Sequence, residues 1–236
     1  MIVENLSLKL KDKTIFEGLN FRLEKNKALI ITGESGVGKS LLAKALIRLL
    51  GNEFKINANK FSFLGKDILS LSQKELRKYR LEVSLNLQDA ELSLYPNLDI
   101  GALFHLFLKS NTNLNAKQRK AYALSYLEKM GFKDINLLWH SYANELSLGM
   151  ARRVSLAFGL LSKPKILICD EITASLDKQS LEKIKQILKD FKNNGSLLCI
   201  THDFEFIKDF ADDVLVLEKD KNSLFSVNDF LRLYNA

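Results

Sequence analysis

Apolar and polar positions alternate along "LSLKLK" (residues 6–11) and "LNFRLE" (residues 19–24), with a turn-like "KDK" after the first, so the chain opens with two antiparallel strands. "KALIIT" (residues 27–32) is instead short and continuously apolar, the mark of a buried strand. It breaks into glycines and resumes at helical spacing as "KSLLAKALIRLL" (residues 39–50), which Gly51 ends. The middle, about residues 70–145, is mostly helical in pattern ("QKELRKYR", "IGALFHLFLKS", "AKQRKAYALSYLEKMGF"), with Pro96 in a loop. From residue 147 the order becomes helix, strand ("KILICD"), helix ("SLEKIKQILKDF"), strand ("SLLCIT"), helix ("FEFIKDF") and strand ("DVLVLE"). Such alternation predicts a largely parallel sheet with helices on its faces. No internal repeat or low-complexity linker interrupts it. The expected fold is one α/β domain with a mostly parallel sheet, an antiparallel β part at its N-terminus and a helical insertion.

Composition narrows the class. A chain of 236 residues can bury a full core as one domain. It has no uninterrupted apolar run of the roughly 18 residues that a membrane-spanning helix needs. The start, "MIVENLSLKLKDK", lacks the plan of a signal peptide, so a cytoplasmic protein is expected. Cys169 and Cys199 each lie in an apolar run, read as small buried hydrophobes in core strands. The net charge of +7 comes from lysines interleaved with acids, as on ordinary solvated faces. Without aromatic and basic interleaving, no nucleic-acid partner is expected.

Candidate chemistry begins with "GESGVGKS", residues 33–40, which fits G-x-x-x-x-G-K-[ST] between a strand and a helix. Gly33, Gly36 and Gly38 let the backbone wrap a polyphosphate and turn its N–H groups inward. The helix start adds its positive dipole end. Lys39 can reach the β- and γ-phosphates, and the Ser40 hydroxyl can ligate Mg²⁺. The phosphate-binding set is then Gly33, Ser35, Gly36, Gly38, Lys39, Ser40 and Leu41. A second element, "KILICDEITASLD", ends a buried strand in Asp170, placed to hold magnesium directly or through water. Glu171 follows, where it could polarise a water for attack on the γ-phosphate; read alone, "DE" could equally cap a turn. "CITHD" puts His202 at the end of another strand, a position that favours a γ-phosphate contact over a structural role.

These motifs, with "LSLGM" at residues 146–150, resemble the ATP-binding cassette (ABC) ATPases over nearly the whole chain. That family has a P-loop, a glutamine loop, a helical subdomain, a signature close to L-S-G-G-Q, a strand-end D-E, an S-x-L-D-like loop and a histidine loop. Here Gln88, "LSLGM", Asp170 with Glu171, "SLD" at residues 175–177 and His202 come in that order. "LQDAELSLYPNLDIG" (residues 87–101) is similar to the corresponding stretch of the oligopeptide, dipeptide and nickel importers, matching at Gln88, Asp89, Ser93, Leu94, Pro96, Ile100 and Gly101. "GKSLL" and the early end after "DVLVLE" resemble the shorter, nickel-type members.

The resemblance implies a P-loop NTPase core over residues 1–70 and 160–236, with the antiparallel β subdomain. It implies a glutamine loop, helical subdomain and signature helix over about residues 71–159. It further implies ATP and Mg²⁺ as ligands, the metal held by Ser40, Gln88 and Asp170, and Glu171, His202 and Gln88 as catalytic residues. Two ATPase subunits, identical or paralogous, would face each other head to tail, each ATP lying between one P-loop and the other subunit's Ser147 and Gly149, with Asp177 at the seam. Gln88 would pass movement to transmembrane permease subunits, served by an extracytoplasmic solute-binding protein, with this subunit peripheral on the cytoplasmic face of the plasma membrane. The implied function is ATP-driven uptake of peptides or nickel. A soluble ABC ATPase acting on nucleic acid or ribosomes is the alternative. A small-molecule P-loop kinase would leave "LSLGM", Gln88 and His202 unexplained.

Three departures stand out. Leu10 takes the place where the family stacks adenine on an aromatic residue, Ile172 replaces the proline common after D-E, and Leu148 replaces the first glycine of the signature.

Overall fold

The computed structural model describes residues 1–87, 94–174, 176–219 and 221–234. Gln88 and the rest of residues 88–93 lie outside that set, so its assignment carries no structural test.

The opening strands, β1 (Ile2–Leu10) and β2 (Lys13–Arg22), pair antiparallel as their alternation requires. β1 is the hub of a five-stranded antiparallel sheet, because β4 (Phe54–Asn57) and β5 (Lys60–Phe63) both pair with it and β6 (Lys66–Asp67) extends β5. The sequence reading places no strands at residues 54–67. These pieces run only two to four residues, too short for alternation to stand out.

The second sheet has the order β11-β10-β3-β9-β8-β7. Its strands are β3 (Ala28–Gly33), β7 (Val83–Asn86), β8 (Ile166–Asp170), β9 (Ser196–Ile200), β10 (Asp213–Leu217) and β11 (Asn222–Ser226). The five from β10 to β7 are parallel; β11 is an antiparallel edge. Both faces are buried, which explains the continuous apolar runs. Ala28, Ile30, Leu167, Cys169, Leu197, Cys199, Val214 and Val216 join the apolar cluster on one face. Leu29, Ile31, Ile166, Ile168, Leu198, Ile200, Leu215 and Leu217 join that on the other. The two cysteines are thus free, buried core residues.

Helix α1 (Lys39–Leu46) ends sooner than its apolar pattern implies. Arg48 turns left-handed at φ 51° and its guanidinium donates to the carbonyls of Ile68, Leu69 and Leu71. From α2 (Gln73–Glu82), Tyr79 donates to Leu46 O at 2.7 Å and Arg80 to Ile47 O at 3.0 Å, so side chains take the carbonyls that a longer helix would have used. Among the described residues, four α-helices follow between β7 and β8: α3 (Ile100–Asn111), α4 (Ala116–Lys129), α5 (Ile135–His140) and α6 (Leu148–Leu160). Helices α7 (Lys178–Lys192) and α8 (Phe204–Phe210) link the remaining parallel strands. Beyond the last predicted strand, β11 and α9 (Val227–Tyr234) continue the chain. Among the described residues no helix is long and apolar enough to cross a membrane.

Asp212 ties the base of the parallel sheet together. It accepts from Ala28 N at 2.8 Å, Lys27 Nζ at 2.9 Å and Lys192 Nζ at 2.7 Å. Burial pushes its carboxyl up, but Lys192, the Ala28 amide and Lys27 outweigh that and hold it below the usual carboxylate range. A carboxylate with a lowered folded-state pKa stabilises fully above its unfolded value, and the gain fades as pH falls through the folded one. Asp212→Asn should cost about 1 kcal/mol at pH 7, after allowing for solvent screening of the half-open pair. Denaturant titrations of both proteins should show the gap closing below about pH 4, the ordinary aspartate range.

Candidate active site

The P-loop leaves the C-terminal end of β3, in the middle of the parallel sheet, and its glycines have separate reasons to be there. Gly33 sits at φ 133°, and a Cβ on it would fall inside the carbonyl of Leu217, its register partner on β10. Gly38 sits at φ 104°, and a Cβ would stand 2.7 Å from Ile15 Cγ2 on β2. Gly36, at φ 82°, has open space around it but needs the left-handed backbone. The loop is therefore pressed against the two sheets at Gly33 and Gly38, where there is no room for side chains.

Gly38 is also the N-cap of α1, so no side chain caps that helix, and its first turn contains no acid. The leading N–H groups keep their capacity for an anion. Lys39, 8% exposed, folds back so that Nζ donates to Gly33 O at 2.8 Å and Glu34 O at 2.7 Å. An ammonium has three N–H groups, so one remains for a ligand. Burial lowers the Lys39 pKa, opposed by the charges of Glu171 and Asp170. Ser35 is exposed on the loop, while Ser40 and Leu41 are half-buried in the first turn of α1.

Asp170 ends β8, is 2% exposed, and pairs in register with Ile200 on β9. Glu171 extends that pairing by one bond, its N–H donating to Ile200 O at 3.0 Å, and then turns left-handed at φ 49°. That conformation is uncommon for a side-chain-bearing residue and marks a position held by its surroundings. Burial and then the charge of Asp170 raise the Glu171 pKa, while Lys39 and Arg152 pull it down. Past β9, His202 brings Nε2 to 3.6 Å from Glu171 Oε1. Burial, and then Lys39, lower the histidine pKa, so the ring is neutral at pH 7 and this approach is not an ion pair. Asp203 caps α8 by accepting from Phe206 N at 3.1 Å.

Lys39, Asp170, Glu171 and His202 thus meet at one edge of the sheet, beyond the carboxyl ends of its strands, where open α/β sheets bind ligands. The cradle fits a polyphosphate: its backbone is close, positive in sign and free of side chains. Ser40 and Asp170 offer hard oxygens. Among the described residues no three His, Cys, Asp or Glu side chains cluster to hold a metal by themselves. This donor set suits Mg²⁺, which is commonly bound through one or two protein oxygens together with substrate phosphates.

The signature segment stands elsewhere on the chain. Ser147 caps α6 by accepting from Met150 N at 3.3 Å. A Cβ on Gly149 would stand 2.9 Å from Ser180 Oγ and 3.6 Å from Asp177 Oδ2. Asp177 in turn caps α7, accepting from Ser180 N at 2.9 Å, and the Ser180 hydroxyl followed by that amide hold its carboxyl below the usual range. The N-termini of α6 and α7 therefore abut. Leu148 is 38% exposed. Neither Ser147 nor Gly149 hydrogen-bonds to the P-loop within the described residues.

Arg152 was missed by reading motifs. It is buried in α6, donates to Ala174 O just beyond Glu171, and its charge acts on Glu171. An arginine on the apolar stripe of α6, with Ala151, Val154, Ser155 and Leu156 buried beside it, is the signal that could have found it.

Comparison with known proteins places this geometry. A protein-family model described as ABC transporter matches residues 16–174. The chain is 34% identical over 206 residues to the oligopeptide transport ATP-binding protein OppD of Bacillus subtilis (strain 168), covering 85% of this chain and 57% of that protein. It is 30% identical over 210 residues to the metal-staphylopine import system ATP-binding protein CntD of Staphylococcus aureus (strain NCTC 8325 / PS 47), covering 88% and 77%. The chain spans 57% of the Bacillus OppD and 62% of its Escherichia coli (strain K12) counterpart. Among solved structures it superposes on the dimeric ATP-binding cassette MJ0796 bound to ADP and Pi with a TM-score of 0.81 at 22% identity, covering 96% of this chain and 98% of that one. On CbiO1 from Clostridium perfringens, part of the ABC transporter complex CbiONQ, the TM-score is 0.78 at 24% identity, covering 98% and 90%. At those identities the likeness is one of fold.

Gly33→Ala should be among the most damaging changes to stability, costing about 3 kcal/mol or more, because the new methyl meets backbone and the φ is unfavourable. Gly36→Ala, with open space, should cost only about 1 kcal/mol. Equal unfolding midpoints for the two variants in urea would contradict this assignment of the loop.

Proposed function

The chain belongs to the ABC transporter family, and from that premise we propose that it is the ATP-hydrolysing subunit of an importer that takes up peptides or nickel. The observation that carries this reading is the convergence of the P-loop, Asp170 with Glu171, and His202 on one sheet edge. The solute class rests on the relatives, which are named for oligopeptide transport and metal-staphylopine import. On this reading the subunit works as a dimer, bound to a permease at the cytoplasmic face of the plasma membrane.

Each residue then has a task. The amides of residues 36–41 receive the phosphate oxygens, and Lys39 gives them its remaining N–H. Ser40, Asp170 and Gln88 hold Mg²⁺, which supplies positive charge against the charge of the phosphates. Glu171 accepts a hydrogen bond from the attacking water and orients it. Its raised pKa makes it a better acceptor than an ordinary carboxylate, and the charges of Lys39 and Arg152 oppose that rise. Neutral His202 donates its ring N–H to the γ-phosphate. Ser147 and the amides around Gly149 complete the site of the opposite subunit, Asp177 lies at the seam between subunits, and Gln88 links the site to the permease. Positioning and charge stabilisation supply most of the catalysis in such transfers.

Glu171→Gln should bind ATP like the parent chain and lose turnover by at least about a hundredfold. Steady-state hydrolysis near the parental rate would remove Glu171 from the mechanism. Leu148 points to solvent and leaves the α6 cap intact, so Leu148→Gly should change turnover by less than about twofold. A large gain would identify the leucine as a brake. In a reconstituted complex, a peptide or nickel ion with its binding protein should stimulate ATP hydrolysis. Stimulation by RNA or ribosomes instead would transfer the chain to the nucleic-acid branch of its family.

A further inference from the structure

Helix α6 crosses β7 along a seam unlike the rest of the core. Alternation sends Val83 and Leu85 of β7 into the apolar cluster shared with α1 and α2, and turns Ser84 and Asn86 the other way. There they meet Ser155 and Gly159, one helical turn apart on α6. Asn86 Nδ2 donates to Ser155 Oγ at 3.1 Å. A Cβ on Gly159 would stand 3.1 Å from Ser84 Oγ and 3.8 Å from Asn86 Nδ2. Asn86 is 2% exposed and Ser155 6%, so this polar bond lies within the packed interior.

The bond is incomplete. Asn86 Oδ1 is buried without a hydrogen-bond partner among the described residues. Turning the amide over would only move the deficit to Nδ2. A buried polar atom left unpaired is costly, and two apolar side chains of similar shape would serve stability better. Stability of this arrangement therefore does not account for the pair.

Its place in the chain does. β7 ends at Asn86, the register partner of Cys169 and so one residue short of Asp170. The chain leaves that point through Leu87 towards Gln88. Ser155 lies about two turns into the helix that Ser147 caps. One hydrogen bond thus joins the strand leading to Gln88 to the helix carrying Ser147 and Gly149. The small and polar side chains of Ser84, Asn86, Ser155 and Gly159 provide no interlocking apolar knobs to resist a shift between them.

We propose that Asn86, through its hydrogen bond to Ser155, is a positioning residue that sets the signature helix against the end of β7, one residue short of Asp170, and so couples its placement to the nucleotide site. The proposal rests on the ATPase reading above.

The test compares Asn86→Val, Ser155→Ala and the double variant with the parent chain, in ATP turnover and in thermal unfolding. Asn86→Val and the double variant should unfold at or above the parental temperature, since each removes the unpaired amide. Their kcat should nevertheless fall about tenfold while KM for ATP stays within about twofold. The double variant should be no slower than the slower single one, because all three lose the same bond. Parental kcat in all three, losses that follow the unfolding temperature, or a double variant at the product of the two single effects would each overturn the proposal. Turnover that survives Lys39→Ala would overturn the ATPase reading itself, so the two failures are distinct.

Discussion

The carbonyl of Leu217 occupies the space where a side chain on residue 33 would begin. Because that space is closed, β3 and β10 stay in register to their last pair, Leu217 with Gly33, and the loop departs from a determined point. Lys39 then fastens the loop from within, bonding the carbonyls of Gly33 and Glu34. Ile15, from the antiparallel sheet, closes over Gly38 from the other side. The two sheets, which share no strand, are thus brought to bear on one turn. At Gly33 and Gly38 the closeness of the cradle depends on an absence of side chains that this packing enforces. Chemistry is added only at its margins.

The parallel sheet does the rest of the positioning. In such a sheet every strand delivers its next residue to the same edge. Asp170 ends β8 and Glu171 follows it, Thr201 and His202 follow β9, and the loop follows β3, adjacent to β9. Four charged or titratable groups are therefore close neighbours, and their pKa directions follow from that crowding. Lys39 is lowered by burial, Glu171 is raised by burial and Asp170, and His202 is lowered by burial and Lys39. Arg152, entering from α6, adds a second cation near Glu171 and offsets the excess of acid.

What the sequence made legible follows the reach of each signal. The long apolar runs of β3, β8, β9 and β10 and the amphipathic α7 could be read because periodicity had room to show itself. The P-loop was legible because its residue types have few other uses in that order. Short strands were not: β4 to β7 span two to four residues each, and pairing with β1 or β8, not local pattern, makes them strands. The early end of α1 was invisible because the groups that stop it, Tyr79 and Arg80, come more than thirty residues later. Arg152 and Asn86 escaped for a related reason: each matters through a partner that only the fold supplies.

The same distinction clarifies the unusual signature "LSLGM". Its two variable places are not equivalent in this structure. A side chain at residue 149 would stand 2.9 Å from Ser180 Oγ, so the Ser180 hydroxyl, which bonds Asp177, would have to turn away. A side chain at residue 148 meets no such wall, and Leu148 is accordingly 38% exposed while Ser147 still caps the helix. Within one chain, then, packing bears on the second glycine and not on the first. Whatever constrains residue 148 acts from outside the chain, at the surface that the α6 N-terminus presents. Substitution there leaves the helix and its Ser147 cap intact, so the leucine is no change in fold.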